Sequence, residues 1–190
     1  QNGQCVLRHM GGYADLENKI PVQGNERYNI YSCSKPITVT AAMQLWEKGL
    51  FQLEDELSRY LPEFKEMTVQ TENGIVPAKN PIRIRNLFTM TAGFTYDLHS
   101  PQLEQLRKDT DGRCPTREVA RYLAREPLAS EPGTQYRYSL GHDVLAALVE
   151  VLSGEKFEVY VKKHIFDPMG MTHSDFLLSP DRYEEVAAHY

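Results

Sequence analysis

At 190 residues the chain can bury the core of one domain, and with 41% hydrophobic and 25% charged residues it reads as globular rather than disordered. A formal charge of −5 leaves no basic footprint for nucleic acid, and no apolar run is long enough to span a bilayer. Cys5, Cys33 and Cys114 are odd in number and widely spaced, which fits neither a disulfide framework nor a zinc site; Cys33 is expected to be a small buried apolar side chain.

In chain order, Cys5–Met10 is predicted as a strand turned by Gly11-Gly12, the second arm of a hairpin whose first arm is absent. Ser34–Lys48 is predicted as a helix closed by Gly49. Glu54-Asp55-Glu56 reads as a solvated acidic face, and Leu57–Leu61 as a short turn stopped by Pro62. Met67–Pro77 is expected to form a small hairpin around Asn73-Gly74. Arg83 and Arg85 alternate with Ile82 and Ile84, giving one wet and one dry face. A short helix over Ile84–Met90 should end at Gly93. Gln102–Lys108 and Thr116–Arg125 are amphipathic, with Thr116 as N-cap of the second. Leu140–Leu152 is the most apolar helix and should be central; Gly154 follows as its C-terminal cap, and Lys156–Ile165 continues the helical run.

The most informative stretch is Tyr31-Ser32-Cys33-Ser34-Lys35-Pro36. It sets a hydroxyl and an amine three residues apart at a helix entrance, on one face. There the exposed N–H groups and the positive end of the helix dipole favour developing negative charge, and Pro36 is tolerated in the first turn. A serine hydroxyl becomes a competent nucleophile only when a neighbour takes its proton. Local sequence leaves two readings of Ser32 open, helix cap and nucleophile. The same spacing recurs at Ser153–Lys156, but at a helix exit, where no such field assists. His142-Asp143 are sequence neighbours projecting in different directions, so they form no triad and His142 is expected to cap or pack. No Gly-x-Ser-x-Gly elbow, His-Glu-x-x-His, Walker loop or dinucleotide fingerprint is present.

Four ordered segments, spanning nearly the whole chain, resemble the serine β-lactamase-related family of class C β-lactamases, DD-peptidases and esterases. They are residues 12–55 around Ser32 and Lys35, Pro81–Phe94, Glu131–Gly141 around Tyr138, and Ile165–Met171. The resemblance implies an α+β, β-lactamase/transpeptidase-like fold, helix-dominated, with the antiparallel sheet largely missing from this chain. Residues 1–190 would then be a single partial domain: 1–31 a sheet-edge hairpin remnant, 32–190 mainly the helical subdomain. An exposed apolar surface is expected where the sheet would sit, open to a second copy or fragment.

The resemblance also implies a serine hydrolase that works through an acyl-enzyme on small carboxylic esters, amides or β-lactams, without cofactor, metal, nucleic acid or membrane segment. Ser32 would be the nucleophile, Lys35 its base, and Tyr138 the phenol that passes the proton to the leaving group. The oxyanion hole would use the backbone N–H of Ser32 plus one from a strand, each worth roughly 3 kcal/mol of barrier. The resemblance places that strand, and the family's Lys- or His-x-Gly motif, in the part of the domain expected to follow Tyr190. Leu140 stands where many members carry an asparagine that binds the substrate amide, which leans toward esters. A non-catalytic binding or sensor homologue is the alternative.

Overall fold

The computed structural model describes residues 1–189. Its centre is the helix α5 (Gly141–Ser153), with Val144, Leu145, Ala147, Leu148 and Val149 all fully buried. Apolar residues occupy every face of its middle turns, so the helix can be stable only when surrounded. It is surrounded: α1 (Lys35–Glu47), α2 (Ile84–Phe88), α4 (Thr116–Leu123) and α6 (Phe157–Val161) all pack on it. Burying each such Leu or Val side chain contributes about 2 kcal/mol. α3 (Pro101–Asp109) packs on α4, with the Ser100 hydroxyl accepting the Leu103 N–H as its cap. α6 runs on into one wider turn over Lys162–Phe166, which buries Ile165 and Phe166.

The strands are few among the described residues. β1 (Tyr13–Asp15) pairs antiparallel with β2 (Ile20–Pro21), and β3 (Thr68–Thr71) with β4 (Gly74–Pro77). The second hairpin forms as expected, with its turn one residue earlier, at Glu72-Asn73, so that Thr71 faces Gly74 in register. The C-terminal segment returns to the first hairpin, where Ala187 and Ala188 donate to the carbonyls of Arg27 and Ala14 at 2.8 Å each. Arg27 ties this junction with ion pairs to Asp175 at 2.8 Å and Glu185 at 2.7 Å.

Several expectations are corrected. Residues 5–10 form no strand and lie exposed; the hairpin turns at residues 16–19 instead, because the Asp15 carboxylate accepts the Asn18 backbone and side-chain N–H groups and fixes the turn there. Cys33 is exposed, since it sits in a 3-10 turn (Tyr31–Ser34) that precedes α1 rather than on the helix's buried face. Thr116 is the first residue of α4 and caps nothing; Pro115 holds the cap position. Asp55 is not merely solvated, for it accepts from the Tyr60 hydroxyl at 2.6 Å and the Gln52 N–H at 2.8 Å. Val6, Leu7, Tyr28, Ile30 and Tyr31 are exposed apolar side chains at the N-terminal side of the molecule.

Candidate active site

Three stretches of chain meet at Ser32. The first is the 3-10 turn, entered through Tyr31 at a left-handed φ of +44°. A bulky residue adopts that conformation only under constraint from its surroundings. The turn is closed by the Cys33 N–H on the Ile30 carbonyl at 2.9 Å and by the Ser34 hydroxyl on the Tyr31 carbonyl at 2.6 Å. It presents Ser32 at the surface, one turn before the half-buried Lys35 that opens α1.

The second stretch is the extended segment that carries Tyr138. It is pinned to the loop after α2: Arg137 donates to the Met90 carbonyl at 2.8 Å and Leu140 to the Thr95 carbonyl at 3.2 Å. That loop is the third stretch. It turns through Met90 at φ +55° and Gly93 at φ +90°, and brings Tyr96 alongside.

The structure brings Ser32, Lys35 and Tyr138 together. The Tyr138 hydroxyl donates to Ser32 Oγ at 2.5 Å. Lys35 Nζ lies 5.0 Å from the centre of the Tyr138 ring and 5.6 Å from that of Tyr96. The Ser32 hydroxyl, followed by the Lys35 ammonium, holds the Tyr138 phenol below its ordinary range; burial and the Asp143 carboxylate act against them. Asp143 and His142, in the first turn of α5, also feel the Lys35 charge. Burial pushes the Asp143 carboxyl up, with Lys35 opposing, and pushes His142 down, with Lys35 adding to the effect. The Phe88 carbonyl opposes the shift on His142, although neither ring nitrogen makes a hydrogen bond of good geometry. His142 therefore packs rather than caps.

Sequence reasoning missed Tyr96 and Asp143. Tyr96 sits in a loop without periodicity, and its signal was only its place two residues after Gly93-Phe94. Ser153, the rival match, accepts the Glu155 N–H at 3.1 Å and does local helix-end work. Leu140 is buried in the core. No group of metal-ligating side chains occurs among the described residues. A cleft of about 670 Å³ lies away from Ser32, between the first hairpin and the C-terminal segment, where Arg27 and Arg182 are already ion-paired.

A serine hydroxyl on a strained turn is thus hydrogen-bonded to a phenol whose ring faces a lysine, and among the described residues no histidine takes part in the cluster. The chain belongs to the beta-lactamase family, whose family model matches residues 1–190. Its fold is accordingly α+β and of the beta-lactamase/transpeptidase type, helix-dominated with small sheets. Among curated relatives, protein Rv1367c of Mycobacterium tuberculosis (strain ATCC 25618 / H37Rv) is 30% identical over 94% of this chain and 46% of its own length. A putative penicillin-binding protein, PbpX of Bacillus subtilis (strain 168), is 28% identical over 100% of this chain and 43% of its own. Among solved structures, EstCE1, a hydrolase with promiscuous acyltransferase activity, superposes with a TM-score of 0.74 at 33% identity, covering 93% of this chain and 46% of that one. Simvastatin synthase (LovD) from Aspergillus terreus gives 0.72 at 27% identity, covering 93% and 47%. The chain thus spans a little under half the length of the relatives it matches. The family match, together with a neighbour described as a hydrolase with promiscuous acyltransferase activity, supports a serine hydrolase family.

Proposed function

We propose that the protein is a serine acyl hydrolase acting on small carboxylic esters through an acyl-enzyme at Ser32. The observation that carries this reading is the 2.5 Å hydrogen bond between Tyr138 and Ser32, with Lys35 Nζ against the same phenol ring. At rest Tyr138 donates to Ser32. Once the phenol has lost its proton the contact reverses, and the phenolate accepts the Ser32 proton as Oγ attacks the ester carbonyl. The depressed acidity range of Tyr138 supports this role, and Lys35 stabilises the phenolate charge. The role differs from the initial expectation of Lys35 as base. As the tetrahedral adduct collapses, the C–O bond to the alcohol breaks and Tyr138 returns the proton to the departing oxygen. Water then repeats the sequence on the acyl-enzyme, releasing the carboxylic acid; an alcohol in its place gives acyl transfer. The Ser32 N–H is the oxyanion donor this chain would supply.

The apolar, buried Leu140 offers no partner for an acylamino group, which favours plain esters over amides and β-lactams. The test is a burst experiment with p-nitrophenyl butyrate on the full-length protein. A +70 Da butyryl mass on the peptide containing Ser32, absent in Ser32→Ala, is expected. An unmodified Ser32 peptide with turnover intact in Ser32→Ala would refute the reading.

A further inference from the structure

Lys35 poses a physical problem. Its ammonium is a hydrated point charge on a flexible four-carbon stem, yet the proposed chemistry needs it fixed beside the Tyr138 oxygen. Among the described residues no carboxylate lies within ion-pair distance of it. What does face it is aromatic. Its Nζ stands 5.0 Å from the Tyr138 ring centre and 5.6 Å from that of Tyr96, both within the roughly 6 Å reach of a cation–π contact. The two rings lie 5.1 Å apart and are inclined at 54°, so they form adjoining walls around the charge.

We propose that Tyr96 is a positioning residue, the second wall of an aromatic clamp that holds the Lys35 ammonium beside the Tyr138 hydroxyl and so keeps Ser32 primed. The clamp rests on the reading of Ser32 as an acylated nucleophile.

Three observations carry it. The ring face is the working part, because the Tyr96 hydroxyl makes no hydrogen bond among the described residues. Its backbone is fixed on both sides. Upstream, the Gly93 carbonyl accepts the Ala129 N–H at 2.8 Å and the Thr95 carbonyl accepts the Leu140 N–H at 3.2 Å. Downstream, Ser100 caps α3 and donates to the Glu126 carboxylate. Finally, the competing attraction is identifiable. Asp143 on α5 draws the Lys35 charge and opposes phenolate formation at Tyr138, while His142, also on α5, feels the same charge. Without the Tyr96 wall the ammonium is free to move toward Asp143 or solvent. The phenol then loses a neighbour that lowers its titration range, and fewer molecules carry the phenolate at a given pH.

The experiment compares Tyr96→Leu and Tyr96→Phe in the full-length protein. Two readouts are used: the rate of Ser32 acylation by p-nitrophenyl butyrate across pH, and the Lys35 ε-methylene resonance in 13C-lysine-labelled protein. Tyr96→Leu is expected to slow acylation roughly threefold to thirtyfold, as loss of one cation–π contact implies. Its acid limb should move to higher pH, and the Lys35 resonance should leave its ring-shielded position. Tyr96→Phe keeps the face and should recover rate, limb and resonance. Equal rates and limbs in wild type and Tyr96→Leu overturn the clamp, as does a Phe variant as impaired as Leu. If wild-type Ser32 is never acylated the hydrolase reading falls, and an unmoved Lys35 resonance in Tyr96→Leu overturns the clamp independently of it.

Discussion

Gly93→Ala tests whether the loop that carries Tyr96 is as tightly seated as the geometry says. Gly93 has φ +90°, and a Cβ built on it would fall 2.3 Å from the Ser130 carbonyl oxygen and 3.2 Å from Leu128 Cβ. An ordinary contact needs more than 3 Å, so the Ser130 segment must retreat by about 1 Å. That segment is bonded to the same loop through the Ala129 N–H and the Gly93 carbonyl at 2.8 Å, and the bond must stretch or break. Left-handed backbone costs alanine about 1–2 kcal/mol, the hydrogen bond about 1 kcal/mol, and the steric displacement about 1–2 kcal/mol. The expected loss is therefore about 3–5 kcal/mol. Gly154→Ala is the control. Its φ is +72° but nothing lies within 4 Å of a Cβ there, so only the backbone strain, about 1–2 kcal/mol, is expected. Urea unfolding followed through Trp46, the single tryptophan, measures both. If the two variants lose the same stability within about 0.5 kcal/mol, the close approach at Ser130 is absent and the reasoning fails.

Tyr138→Phe removes the hydroxyl that touches Ser32 and should lower kcat about 100- to 10,000-fold with little change in unfolding midpoint; a loss under tenfold would exclude it as proton carrier. The phenol of Tyr138 is held below its usual range, so kcat/KM should rise with pH and level off below the ordinary phenol value of about 10. Asp143→Asn removes a negative charge that opposes phenolate formation, so the same limb should move to lower pH, and a shift the other way would contradict the assignment. Leu145→Ala empties a fully buried site on α5 and should cost about 3–4 kcal/mol by denaturant titration; a cost below about 1 kcal/mol would mean α5 is not central.

What the chain alone determined was its local grammar. The apolar pattern over 140–152 fixes a buried helix, Asn73-Gly74 marks a hairpin to within one residue, and Gly49 and Gly154 fix helix ends, because each depends on neighbours a few residues away. The spacing of Ser32 and Lys35 was legible for the same reason. The strand expected over residues 5–10 does not form, because a strand depends on a pairing partner and pairing is not written in one strand. Only the tertiary structure decided that Tyr138 reaches Ser32 across 106 residues, that Tyr96 stands against Lys35, and that Asp143 lies close enough to be felt. These contacts arise from how α1, α5 and the loop after α2 pack around one core. Such packing joins residues by shape and burial rather than by position along the chain, so no local pattern carries it.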